Sequence, residues 1–243
     1  MSVIDLKGLT ALVTGATSGI GRATSVTLAR AGAEVLVHGR DASRGEAVVR
    51  EIASAGGKAR FVSGDLADVA SVQSVIEQAG DVDILVNNAG FSWFGPTADL
   101  PVETLDALLA ANVRAPYLLV AAFAPKMAAK GSGSIISIDS MAGRVGLAGG
   151  AAYSATKASL SALTRSWAAE FSPSGVRVNA VAPGPVYTDG ASEDRIAQLG
   201  STTLINRAAR PEEIAETIAF LASPLASYIT GATVPVDGGR TAV

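Results

Sequence analysis

The chain has 243 residues, a formal net charge of −3 at pH 7, 49% hydrophobic residues and 17% charged residues. One α/β domain spanning 1–243 is expected at this length, and the apolar share excludes disorder. The absence of cysteine and the single histidine exclude a disulfide scaffold, thiolate metal sites and thiol catalysis; they also strain a His-rich zinc site or a Ser-His-Asp triad, so no metal is expected.

Short apolar runs alternate with helix-like segments along the whole chain. Residues 9–14 read as a strand and 19–31 as a helix stopped at Gly32. A strand at 34–38 precedes a helix at 41–55, which Gly56 and Gly57 stop. A third strand at 60–63 precedes a helix at 68–79, and a fourth strand covers 83–87. Residues 101–129 make one long helix or a kinked pair. A fifth strand at 134–139 leads to a long helix at 151–171, ended by Ser172 and Pro173. A sixth strand at 176–181, a helix at 211–222 and a short strand at 233–236 follow. The strands are rich in Val, Ile and Leu with little alternation, as strands buried on both faces are. Repeated β-α units predict a doubly wound parallel sheet with helices on both faces. Ligands of such sheets bind outside the carboxyl ends of the strands, so the residues after each strand carry the functional reading.

After the first strand comes Thr14-Gly15-Ala16-Thr17-Ser18-Gly19-Ile20-Gly21, which opens a helix. Glycines let a diphosphate approach the backbone, and free N–H groups at a helix start attract it. A tight turn is the plain alternative. The lack of a following Gly-Lys-Ser/Thr excludes a P-loop.

Further motifs stand in order. Asn87-Asn88-Ala89-Gly90 follows the fourth strand, and Asn112 lies in the next helix. Ser140 follows the fifth strand, and Tyr153-Ser-Ala-Thr-Lys157 opens the helix after it. Pro183-Gly184-Pro185-Val186-Tyr187-Thr188 follows the sixth strand, and Asp237-Gly238-Gly239 lies near the end. The whole set, spread over the chain, resembles the single-domain branch of the short-chain dehydrogenase/reductase family. That resemblance implies a Rossmann-type seven-stranded sheet in the order 3-2-1-4-5-6-7. It also implies an NAD(P)-dependent oxidoreductase that interconverts a ketone and a secondary alcohol, of the alcohol dehydrogenase or 3-oxoacyl-type carbonyl reductase kind.

Tyr153 and Lys157, four residues apart, share a face on a helix. A phenol titrates near about 10, and a neighbouring ammonium favours its phenolate, so a buried pair can act as general acid and base. An ordinary helix-surface pair is the alternative, and Ser140 at a strand end upstream weighs against it. The resemblance implies that Tyr153 exchanges the hydroxyl proton and that Ser140 hydrogen-bonds the substrate oxygen. It implies that Lys157 holds the ribose hydroxyls and tunes Tyr153, and that Asn112 anchors a water linking Lys157 to solvent. A helix-cap or kink role is the alternative for Asn112. Asp139 departs from the family pattern, which more often has a small neutral residue before the serine. It could repel the phenolate or pair with Arg144; strand alternation that turns it away from the site is the favoured reading.

The cofactor contacts implied by the resemblance are Gly15, Thr17, Ser18, Gly19, Ile20 and Gly21 in the first turn. Asp65 and Leu66 would meet the adenine, although Asp65 could instead cap the helix near Asp68. Asn88, Ala89 and Gly90 would line the central crevice, with Tyr153 and Lys157 beside the ribose. Pro183, Gly184, Val186 and Thr188 would cover the nicotinamide. An acid at the end of the second strand would select NAD. Gly39 stands there, followed by Arg40, whose guanidinium can pair with a 2′-phosphate. Asp41 is expected to cap the next helix. NADP(H) is therefore the expected preference, with NAD(H) possible, and Gly39→Asp with an apolar replacement of Arg40 is expected to reverse it.

His38 reads as a packing residue without a catalytic role. Phe91, Trp93 and Phe94 read equally as packing residues or as walls of a substrate pocket. A mobile lid is expected at about 188–208, and its single basic residue, Arg195, favours a neutral, medium-sized ketone or alcohol over a polyanion. Apolar residues on several faces of the helices at 101–129 and 151–171 point to a second packed surface, and related enzymes form homotetramers. A non-catalytic redox sensor, a dehydrogenase of a sugar or polyol, and a nucleotide-sugar epimerase are the other readings. The epimerase branch has a shorter glycine spacing and a larger C-terminal domain. The acidic balance lacks the footprint of a nucleic-acid binder. The first seven residues lack the apolar core of a signal peptide. The longest uncharged run, 217–236, contains Pro224, Gly231 and Pro235, so no membrane span and a cytoplasmic location are expected.

Overall fold

The computed structural model describes residues 4–188, 190 and 192–243. Strands β1 (Thr10–Val13), β2 (Glu34–Gly39), β3 (Lys58–Ser63), β4 (Ile84–Asn87), β5 (Gly133–Ile138), β6 (Val176–Pro183) and β7 (Thr233–Val236) form one seven-stranded sheet. The order is β3-β2-β1-β4-β5-β6-β7, and every pairing is parallel. Successive residues of each strand feed two different cores. Val13, Val35, Val37, Val86, Ile136 and Ile138 enter one core, and Leu12, Leu36, Leu85, Ile135 and Val178 enter the other. Both faces need apolar side chains, which is why the strands show so little polar alternation.

Helices α1 (Gly19–Arg30), α2 (Ala42–Ser54) and α8 (Pro211–Ala222) cover the first core through Leu28, Ile52, Ile214 and Ile218. Helices α3 (Val69–Ala79), α5 (Ala115–Lys130) and α6 (Ala151–Phe171) cover the second through Val75, Leu119, Phe123 and Trp167. Asp41 and Asp68 cap α2 and α3, accepting the N–H groups of Arg44 at 3.1 Å and Ser71 at 2.8 Å. Gly131, left-handed at φ 75°, ends α5.

The long helical run is continuous, with a π-turn inside it. Helix α4 (Val102–Leu109) passes into α5 through a π-turn at Ala110–Arg114. By length and composition Val102–Lys130 is apolar enough to cross a membrane. Leu119, Val120, Phe123 and Met127 are instead buried against the sheet, as in a core helix.

One element differs from the sequence reading. The expected lid contains helix α7 (Glu193–Gly200), which buries Ile196. Asp189 and Ala191, also in that segment, lie outside the described residues. The far end of the segment is tied down: Arg207 forks onto Glu213 of α8 at 2.8 and 2.7 Å, and Leu204 N–H donates to the Gly238 carbonyl at 2.9 Å.

Candidate active site

The carboxyl ends of β1, β4, β5 and β6 bring the singled-out residues to one side of the sheet. The turn after β1 shows why its glycines are glycines. Gly15 and Gly19 have φ of +62° and +51°. A Cβ on Gly15 would stand 2.9 Å from Ala89 Cα, and one on Gly21 would run into the Gly15 carbonyl oxygen and the Asn88 amide. Ser18 starts α1 without a side-chain cap, and the first turn carries no acid. Its N–H groups and the positive end of its dipole therefore face outward, the chemistry a diphosphate needs. This cradle fits a dinucleotide.

The Asn-Asn-Ala-Gly run braces that cradle. Asn88 Nδ2 donates to the carbonyls of Thr14 at 2.8 Å and Gly15 at 3.1 Å. The N–H groups of Asn88 and Ala89 donate to Thr14 Oγ1 at 2.9 and 3.0 Å. The Asn88 side chain is thus committed to the turn. Leu66 and Val186 send their side chains into the cores. Asp65 is not the cap of α3; its Oδ1 accepts the Ala67 N–H at 3.0 Å within the loop after β3. Gly184 lies against Asp237, where a Cβ would stand 2.7 Å from Cα. Thr188 reaches the start of α1, its Cγ2 lying 3.1 Å from where a Gly19 Cβ would be.

Ser140, Tyr153 and Lys157 converge between β5 and α6. Ser140 Oγ accepts the Ala142 N–H at 3.1 Å, which leaves its own proton to donate. Its hydroxyl lies near enough to the Tyr153 phenol to shift its titration. Burial pushes the Tyr153 phenol above its ordinary value; the Ser140 hydroxyl pulls it back and the charge on Asp139 adds to the rise. Lys157 is buried, donates to the Ile138 carbonyl at 2.6 Å, and lies 5.7 Å from the Tyr153 ring centroid. Burial lowers its pKa to about 8, against the opposing charge of Asp139. Around neutrality the pair is therefore a phenol beside an ammonium.

Asn112 sits in the π-turn. Its Nδ2 donates to the Phe91 carbonyl at 2.9 Å and Thr156 Oγ1 at 3.0 Å, and its Oδ1 accepts the Phe91 N–H at 3.1 Å. Thr156 donates in turn to the Tyr153 carbonyl at 2.7 Å. Both amide protons are spent, so the side chain locks the Phe91 loop to α6. Asp139 turns from the substrate side toward α6, where Ser161 Oγ donates to it at 2.5 Å. Its burial raises its pKa, and Lys157 and Arg144 act against that rise. Its charge reaches Lys157 and Tyr153.

Phe94 stands beside the Tyr153 ring. It is 46% exposed and stands edge-on to Tyr153, ring centroids 5.6 Å apart. Trp93 instead lies over Gly95, where a Cβ would stand 2.7 Å from its ring. Sequence reasoning passed over Thr14, Thr156 and the ring of His38 as structural parts of this site. Thr14 at the end of the first strand had a visible signal, because a hydroxyl beside a glycine turn can bridge loops. Thr156 had none.

Residues 15–241 match the family model described as enoyl-(acyl carrier protein) reductase. A cis-4-hydroxycyclohexanecarboxylate dehydrogenase of Sinomonas cyclohexanicum is 43% identical, covering 96% of each chain. A solved structure described as a short chain dehydrogenase/reductase family protein is 50% identical, with a TM-score of 0.92, over 98% of this chain and 100% of its own. A Beutenbergia cavernae protein, described as an NAD(P)-dependent gluconate 5-dehydrogenase and solved with bound NADP, is 40% identical over 100% of both chains, with a TM-score of 0.94. Agreement across nearly the full length, in sequence and in fold, leaves one assignment: the chain belongs to the short-chain dehydrogenase/reductase family of NAD(P)-dependent oxidoreductases.

Proposed function

We propose that this enzyme interconverts a neutral, medium-sized ketone and its secondary alcohol, with NADP(H) preferred over NAD(H). The convergence of Ser140, Tyr153 and Lys157 beside the glycine cradle carries the reading. A sensor without turnover has no use for a buried proton donor. The nicotinamide cofactor supplies or accepts the hydride when bound. Gly15, Thr17, Ser18, Gly19, Ile20 and Gly21 would hold its diphosphate; Asp65 and Leu66 would flank the adenine; Pro183, Gly184, Val186 and Thr188 would cover the nicotinamide. In reduction, Tyr153 gives its phenolic proton to the substrate oxygen, and Ser140 donates a hydrogen bond to the same oxygen. The Lys157 ammonium steadies the phenolate that results. In oxidation the proton travels the other way.

Phe94 and Leu147, both near Gly150, give the mouth an apolar wall. A panel of neutral ketones, hydroxy acids, sugars and phosphorylated carbonyls, followed by NAD(P)H absorbance, tests the substrate class. Higher kcat/KM on neutral ketones is expected; a clear preference for a phosphorylated substrate would sink it.

The adenosine end favours NADP(H). Gly39 ends β2, Asp41 is engaged as the α2 cap, and Arg40 is exposed between them. Arg40→Leu is expected to cut kcat/KM for NADPH by about 10- to 100-fold, the scale of a hydrogen bond to a charged group, with little change for NADH. Equal or better efficiency of the parent with NADH would refute the preference. For the reversal by Gly39→Asp, a Cβ there would meet Thr17 Cγ2, so the Thr17 side chain must turn aside, and Thr17→Ser removes the contact.

A homotetramer fits the outer surface, where Val102, Leu109 and Tyr117 of α4 and α5 stay 66%, 44% and 52% exposed. Light scattering is expected to give four copies; a monomer at micromolar concentration would count against it.

A further inference from the structure

We propose that His38 is a positioning residue for the cofactor: its imidazole fastens the glycine turn to the loop after β3, fixing the two walls between which the adenosine end binds. The ring is 2% exposed at the end of β2. Nδ1 accepts the Gly15 N–H at 3.2 Å, and Nε2 stands 3.2 Å from the Gly64 carbonyl oxygen. One ring nitrogen meets a donor and the other an acceptor, so the neutral tautomer with its proton on Nε2 satisfies both. The backbone repeats the pattern. Ala16 N–H donates to the His38 carbonyl at 2.8 Å, and Gly64 N–H donates to the Gly39 carbonyl at 3.2 Å. Between the end of β2 and each wall there is one backbone bond and one side-chain bond, and a single imidazole provides both side-chain bonds. Bulk alone would ask only for a leucine here. The paired bonds ask for a ring with a donor and an acceptor on opposite edges.

A protonated ring would turn an N–H against the Gly15 N–H. Burial lowers the pKa of His38 to about 4, with the Gly64 carbonyl and the Asp65 carboxylate acting in the other direction. Asp65 is the titratable group facing the ring from the loop after β3, and Arg40, two positions along, is exposed. An imidazole in the unfolded chain gains its proton near about 6.5. Between that value and about 4 the unfolded chain binds a proton that the folded chain refuses, so stability falls as pH drops through the window. The chain has no other histidine, so the part of this loss that a His38 variant removes belongs to this ring.

The inference rests on the dinucleotide site read above. NADPH and NADH binding is titrated by fluorescence for the parent, His38→Leu, His38→Asn and His38→Gln. The unfolding midpoint without cofactor between pH about 4 and about 7, and kcat at saturating cofactor, are measured alongside. His38→Leu is expected to weaken NADPH binding at least about tenfold, with kcat within about threefold of the parent. His38→Asn, whose Oδ1 can take the place of Nδ1, is expected to recover most of the affinity, and His38→Gln less. All three are expected to lose the imidazole's share of the acid-side fall in stability. A parent that binds neither nucleotide would overturn the dinucleotide reading and this inference with it. A parent that binds, with His38→Leu and His38→Asn both within about twofold of it, would overturn this inference alone. So would losses of affinity and kcat that merely track the midpoint without cofactor.

Discussion

Tyr153→Phe is expected to lower turnover at least about a hundredfold, the scale of a general acid–base contribution, while NADPH affinity stays within a few-fold. The variant keeps the ring, so its edge contact with Phe94 and the ammonium of Lys157 over its face survive. It loses one hydroxyl. That hydroxyl is the acidic proton nearest the Ser140 donor, and burial holds it protonated around neutrality, ready to be given to a carbonyl oxygen. Ser140 keeps the Ala142 N–H that orients it. Steady-state kinetics and a nucleotide titration together check the outcome. Most of the turnover surviving in the Phe variant would show that another group moves the proton.

The parts legible in the sequence share a physical feature: a local pattern that tertiary packing leaves no freedom to alter. The β-α alternation was readable because strands buried on both faces demand unbroken Val, Ile and Leu runs, and the two cores use every one. The glycine turn was readable because Gly15 and Gly21 meet backbone where a Cβ would go. The parts not legible depend on which side chain meets which carbonyl. His38 looked like any apolar-strand residue until its two nitrogens met Gly15 and Gly64, partners 23 and 26 positions away in sequence. Asn112 was singled out, but its grip on Phe91 and Thr156 needs the π-turn, which no pattern in 110–114 announces. Helix α7 is eight residues with little but Ile196 buried in its middle, too weak a stripe to separate from loop. The expected lid therefore carries more regular structure than its mixed composition implied.

The catalytic chemistry also carries a stability cost, which Lys157→Met should expose. Lys157 is 6% exposed, with the Ile138 carbonyl as its hydrogen-bond acceptor and Asp139 as the nearby opposing charge. A lysine in an unfolded chain titrates near about 10.4, whereas burial holds this one at about 8. Between those values the unfolded chain keeps a proton that the folded chain has lost, so folding becomes more favourable as pH rises through the window. Below about 8 the full penalty applies, and above about 10.4 it is gone. Methionine has a similar unbranched shape without the charge. Removing the charge recovers about 3 kcal/mol, and losing the hydrogen bond to Ile138 returns about 1 kcal/mol. Lys157→Met without cofactor is therefore expected to be about 2 kcal/mol more stable than the parent at pH 7. Its advantage should shrink steadily toward pH about 10. On the proposed mechanism activity should fall about a thousandfold, because the phenolate of Tyr153 would lose its stabilising cation. Denaturant melts across that pH range, paired with kinetics, make the check. A Met variant less stable than the parent at pH 7, with an unchanged pH dependence, would show that the buried ammonium costs the fold nothing. Gain of stability with loss of turnover would instead mark Lys157 as a group kept for chemistry at the expense of the fold.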